Sequence, residues 1–81
     1  SLNSLGNAHN SLGNYPLAIE NYNQALAMFK RIYGDRLDPD VARTLGNLGN
    51  AHNFLGKHAI AIDHYNQALA IFKKIYGDRP H

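Results

Sequence analysis

The chain has 81 residues, no cysteine and a formal charge of +2, with only 17% of its residues charged. This composition excludes a disulfide scaffold and a thiolate metal site, and the scattered excess of positive charge argues against a dedicated nucleic-acid partner. The longest apolar runs are four or five residues, far short of the roughly 20 that span a bilayer, and Ser1 opens no signal-peptide arrangement, so a soluble, cytoplasmic protein is expected.

In chain order, Leu2, Leu5, Ala8, His9 and Leu12 recur at spacings of three and four, which predicts a helix over 1–12. Gly13-Asn14 offers a residue that tolerates the left-handed region and a capping side chain, and Pro16 suits a first helical turn. A second helix is predicted over 15–33, where Leu17, Ile19, Tyr22, Ala25, Leu26, Phe29, Ile32 and Tyr33 form an apolar face too broad for one neighbour. Lys30 and Arg31 suit its last turns, and Gly34 ends it. Asp38 reads as an N-cap, Pro39 as a first helical residue and Asp40 as a favourable anion in the first turn. A third helix is therefore predicted over 39–55, one turn longer at its start than the first, so that Ser1 reads as a cut inside a helix. The fourth, over 58–76, carries Ile60, Ile62, Tyr65, Ala68, Leu69, Ile71, Phe72 and Ile75, and the last four residues are expected to fray.

The four segments are two copies of one unit. Ser1–Arg36 set over Thr44–Arg79 at an offset of 43 residues gives 24 identical pairs out of 36. A fixed period of this size marks a unit that buries its apolar face only by stacking on neighbours. Gly6, Gly46 and Gly49 fall inside predicted helices, where each costs about 1 kcal/mol relative to Ala. Gly6 and Gly49 are equivalent and would let the paired helix approach closely. Gly46, opposite Asn3 in the repeat, has no such reason.

The residues Leu2, Leu5, Gly6 and His9, followed by Ala18, Tyr22 and Ala25, resemble the tetratricopeptide repeat, and Leu45, Leu48, Gly49, His52, Ala61, Tyr65 and Ala68 repeat the match. The departures are Leu for the usual Trp, His for the usual Tyr, and Lys30 and Lys73 where a Pro normally ends the second helix. The long period and the ending Ile-Tyr-Gly-Asp-Arg are similar to the repeats of kinesin light chains and of large bacterial arrays. The resemblance implies an all-α fold of two helix-turn-helix repeats, 1–38 and 39–81, forming a fragment of a right-handed solenoid. It also implies a concave groove, lined by the first helix of each pair, that binds a peptide or partner protein.

Asn3, Asn7 and Asn10 stack on one face of the first helix, and Asn47, Asn50 and Asn53 accompany them on the third. Amides of this kind hydrogen-bond extended backbone, although a solvated polar face or an Asn ladder between copies would use the same residues. Asn7 and Asn50 match the Asn by which chaperone-binding members of the family hold a C-terminal carboxylate, but the Lys expected one turn earlier is Asn3 or Gly46. Phe54, opposite Ser11 in the repeat, is expected to be the one exposed aromatic and an anchor for a ligand side chain.

His9 and His52 are expected to be packed, hydrogen-bonded imidazoles, and His58 and His64 lie on different helical faces, so no metal site is assembled. Neither a catalytic constellation nor a cofactor motif is present. An interaction module and a self-associating structural repeat remain. For the second, the residues of helix two expected to pack on the next copy, Ile19, Leu26, Phe29 and Ile32, have equivalents in Ile62, Leu69, Phe72 and Ile75 with no third copy to cover them. Head-to-tail contact or a domain swap would follow.

Overall fold

A computed structural model describes residues 2–77, and these form four helices with no strand among them: α1 (Leu2–Ser11), α2 (Tyr15–Tyr33), α3 (Pro39–Phe54) and α4 (His58–Tyr76). The helices expected over 1–12, 15–33, 39–55 and 58–76 are present to within a residue or so. The reading of Ser1 and the fraying of the last four residues fall outside the described residues.

The start of α3 follows from its sequence. Asp38 is extended (φ −138°, ψ 139°) and its carboxylate accepts the Asp40 N–H at 2.9 Å, satisfying one of the otherwise orphaned donors of the first turn. Thr44 then donates its hydroxyl to the Asp40 carbonyl at 2.8 Å, which lets a hydroxyl sit fully buried at this level of the helix. Asn14 does not act as the expected side-chain cap of α2. The α1–α2 turn is instead closed by backbone bonds, from Asn14 N–H to His9 C=O (2.8 Å) and from Gly13 N–H to Asn10 C=O (3.1 Å). The second turn uses the same pair, Lys57 to His52 and Gly56 to Asn53, which shows that no capping side chain is needed there. At Gly13 and Gly56 φ is 81° and 79°, a left-handed conformation in which a Cβ is strained.

Each pair packs as an antiparallel hairpin, α1 on α2 and α3 on α4. The two hairpins meet chiefly through α2, which lies against both α1 and α3, with a slighter contact between α1 and α3, whereas α4 lies against α3 alone. Ala18, Tyr22 and Leu48 form one buried cluster, backed by Ile19 and Leu26, and Ala42, Leu45 and Ala68 form a second, backed by Leu26, Val41, Ile71 and Phe72. Leu26 therefore joins both clusters, and the broad apolar face of α2 serves two neighbours, as its width required.

Not every predicted core residue is covered. Leu5, Leu12 and Leu17 are exposed. Ile32 is 63% exposed and does not pack on the second copy as expected. In the second hairpin Val41 packs near Ile71 and Phe72. The equivalents in the first hairpin, Met28 and Phe29, instead join Ile32 and Leu2 in lining an open cavity of about 100 Å³.

Candidate partner-binding surface

The first helices present the asparagines, and the second helices orient two of them. Tyr22 crosses from α2 to α1, where its ring lies directly over Gly6. A Cβ on Gly6 would be 2.6 Å from the Tyr22 ring, and one on Gly49 would be 2.6 Å from that of Tyr65, so both glycines permit close approach, as their place in the repeat suggested. Nothing lies within 4 Å of a Cβ on Gly46. Beyond the glycine, the Tyr22 hydroxyl donates to Asn7 Oδ1 at 2.6 Å, and the Tyr65 hydroxyl donates to Asn50 Oδ1 in the same way. Burial pushes the Tyr22 phenol above its ordinary pKa, because an ionised oxygen would lose its hydration there.

Both Asn7 and Asn50 are exposed residues. Each Oδ1 accepts from a tyrosine hydroxyl, and the Nδ2–H groups are the donors that each amide has to offer. Asn3, Asn10 and Asn47 are half-buried, and Oδ1 of both Asn3 and Asn10 is buried with no partner among the described residues. Asn53 is exposed, with its Oδ1 2.7 Å from His58 Nδ1.

Phe54 is 64% exposed but not isolated: its ring stacks on Tyr15, with centroids 5.0 Å apart and planes at 8°. It is not the one exposed aromatic, since Tyr76 is exposed as well. The Tyr15–Phe54 pair bridges the start of α2 and the end of α3. Both positions break the repeat, with His58 and Ser11 as their counterparts, and that shared departure is the signal from which the pair could have been found.

His9 and His52 are half-buried, but Nδ1 of each does not make the expected hydrogen bond. Both nitrogens are buried without a partner among the described residues. The His52 ring stacks on His64 of α4, with centroids 5.2 Å apart and planes at 4°, and His64 Nδ1 lies 3.0 Å from the Ile60 carbonyl. Burial first, then the neighbouring His64 and Lys57, hold His52 below the ordinary histidine pKa. Among the described residues no three His, Cys, Asp or Glu side chains come together as a metal-binding group, and no helix is long and apolar enough to cross a membrane.

Of the residues predicted to remain uncovered along α4, Ile62 and Leu69 are exposed, at 57% and 64%. Phe72 and Ile75 are half-buried, and Phe72 belongs to the packing around Ala42, Leu45 and Ala68. The open strip is thus narrower than the sequence pattern suggested.

Residues 1–74 match a family model described as tetratricopeptide repeat. No curated protein and no solved structure matches the chain.

Proposed function

Because the chain belongs to the tetratricopeptide repeat family, whose repeats generally serve protein–protein interaction and scaffolding, we propose that its two repeats, 1–38 and 39–81, bind an extended segment of a partner protein along α1 and α3. The observation that carries this is the duplicated Tyr–Asn pair. Tyr22 and Tyr65 each occupy the Oδ1 of an exposed Asn, which leaves donors aimed at a ligand and suits the carbonyl oxygens of an extended peptide. Asn3, Asn10, Asn47 and Asn53 extend the amide surface on the same two helices. Phe54, steadied by Tyr15, gives an apolar side chain of the ligand a flat face to cover.

Charge points to the ligand's backbone rather than to a carboxylate terminus. Leu2–Ser11 carries no Lys or Arg, and Arg43 near the start of α3 is paired with Asp40. A neutral, amide-lined surface favours uncharged peptide groups.

The test is selection from a library of short unstructured peptides. The matched control carries Tyr22→Phe, Asn7→Ala, Tyr65→Phe and Asn50→Ala together, so that no buried hydroxyl is left without an acceptor. Peptides retained by the native chain and lost by a folded control support the reading. Equal retention by both contradicts it.

A second reading, self-association, is favoured by the burial pattern at the two ends of the molecule, where Leu5, Ile62 and Leu69 stay exposed although their counterparts in the other repeat are covered.

A further inference from the structure

The middle of the molecule shows how its two ends fit each other. At the α2–α3 contact, Ile19 and Leu26 of α2 pack on the cluster that contains Leu48 of α3, and Leu48 and Ala51 are fully buried. One repeat earlier, the same side chains on α1 are Leu5, 48% exposed, and Ala8, also exposed. One repeat later, the same side chains on α4 are the exposed Ile62 and Leu69. Each comparison sets identical residues against each other, Leu with Leu, Ala with Ala and Ile with Ile. Composition therefore cannot account for the difference in burial. What differs is whether the neighbouring repeat lies over them. One end of the chain carries the α3-type half of the contact, and the other end carries the α2-type half.

We propose that copies of this 81-residue chain join head to tail, with Ile62 and Leu69 on α4 of one copy docking on Leu5 and Ala8 on α1 of the next, in the register of the internal α2–α3 contact. This rests on the self-association reading above and assigns it a polarity, a pair of mating surfaces and a register. Nothing electrostatic opposes the contact, since α1 carries no Asp, Glu, Lys or Arg over Leu2–Ser11. The surfaces are different patches, so the contact is heterologous and each added copy leaves one of each kind open. Assembly therefore does not stop at a dimer.

The polarity can be tested with two single substitutions at exposed positions, Leu69→Gln to block the tail and Leu5→Gln to block the head. Circular dichroism establishes that each variant keeps its helices. Light scattering of the native chain should show mass rising with concentration beyond a dimer. Each variant alone should associate about tenfold or more weakly than the native chain, and an equimolar mixture of the two should recover a complex of two copies, one of each kind. A native chain that stays monomeric at all concentrations would overturn the self-association reading and the proposal with it. Three outcomes would overturn the proposal alone: association untouched by either substitution, as a domain swap predicts; association lost in Leu69→Gln but kept in Leu5→Gln, as α4-to-α4 pairing predicts; or a mixture that stays monomeric.

Discussion

Gly6 and Tyr22 occupy one space: the Tyr22 ring rests where a side chain on Gly6 would stand, 2.6 Å from the position of its Cβ. The arrangement recurs at Gly49 and Tyr65, whereas Gly46, three residues before Gly49 in the same helix, faces open space. Helix propensity alone would favour Ala over Gly by about 1 kcal/mol at all of these positions. Packing reverses the sign at two of them. Gly49→Ala and Gly6→Ala should lower stability by about 1–3 kcal/mol through overpacking against the facing tyrosine ring, while Gly46→Ala should raise it by about 0.4–1 kcal/mol. Urea denaturation of the three variants checks the signs.

The hydroxyl of Tyr22 makes a double-mutant cycle informative. Asn7→Ala leaves that buried hydroxyl without its acceptor and should cost about 1–3 kcal/mol. Tyr22→Phe removes the donor and should cost about 0.5–1.5 kcal/mol. The double variant should be little worse than Tyr22→Phe alone, because no orphaned group remains. Additive losses in denaturation midpoints would show that the bond is not the link between them.

His52 sets a pH dependence. Its folded-state pKa is lowered, chiefly by burial and next by His64 and Lys57, so around the unfolded pKa, about 6.5, the unfolded chain binds more protons than the folded one. Stability is therefore full above that pH and falls as the pH drops below it. His64→Asn, which places the residue found at position 21 of the first repeat, should reduce this loss by removing one of the neighbours that lower the His52 pKa. Denaturation midpoints at about pH 7.5 and about pH 5.5 measure both slopes.

The cavity lined by Leu2, Met28, Phe29 and Ile32 lies where the first hairpin lacks equivalents of Val41 and Ala42, which in the second hairpin pack with Leu45, Ala68, Ile71 and Phe72. Fusing a copy of the sequence Asp38–Arg43 directly before Ser1 should extend α1, cover Ile32 and add about 1–3 kcal/mol of stability. The same extension with Ser in place of both the Val and the Ala should add much less. Thermal unfolding of the two extended chains decides between burial and a simple gain in helix length.

The helices were legible because four signals agreed: apolar spacing, the Asp38-Pro39 start, the turn glycines and the duplication itself. Close approach at Gly6 and Gly49 was legible too, since a costly residue recurred at equivalent positions. The sequence pattern did not reveal how far a neighbour covers each stripe. Leu5 and Leu48 are the same residue at the same place in the repeat, and only the presence of α2 over Leu48 separates them. For the same reason the strip along α4 looked wider than it is, because Phe72 also serves the hairpin's own core. The Tyr–Asn bonds escaped notice because an aromatic at helical spacing reads as core. Tyr22 is core by its ring, and its hydroxyl alone reaches the surface residue.

The most direct measurement of the proposed interaction follows the side-chain amide resonances of Asn7 and Asn50 by NMR while a neutral peptide selected by the chain is added. The account predicts that these Nδ2–H signals shift together with the rings of Tyr15 and Phe54, and that the outer face of α4 around Ile62 and Leu69 stays unchanged. Shifts confined to α2 and α4, with both asparagine amides unmoved at saturation, would contradict it.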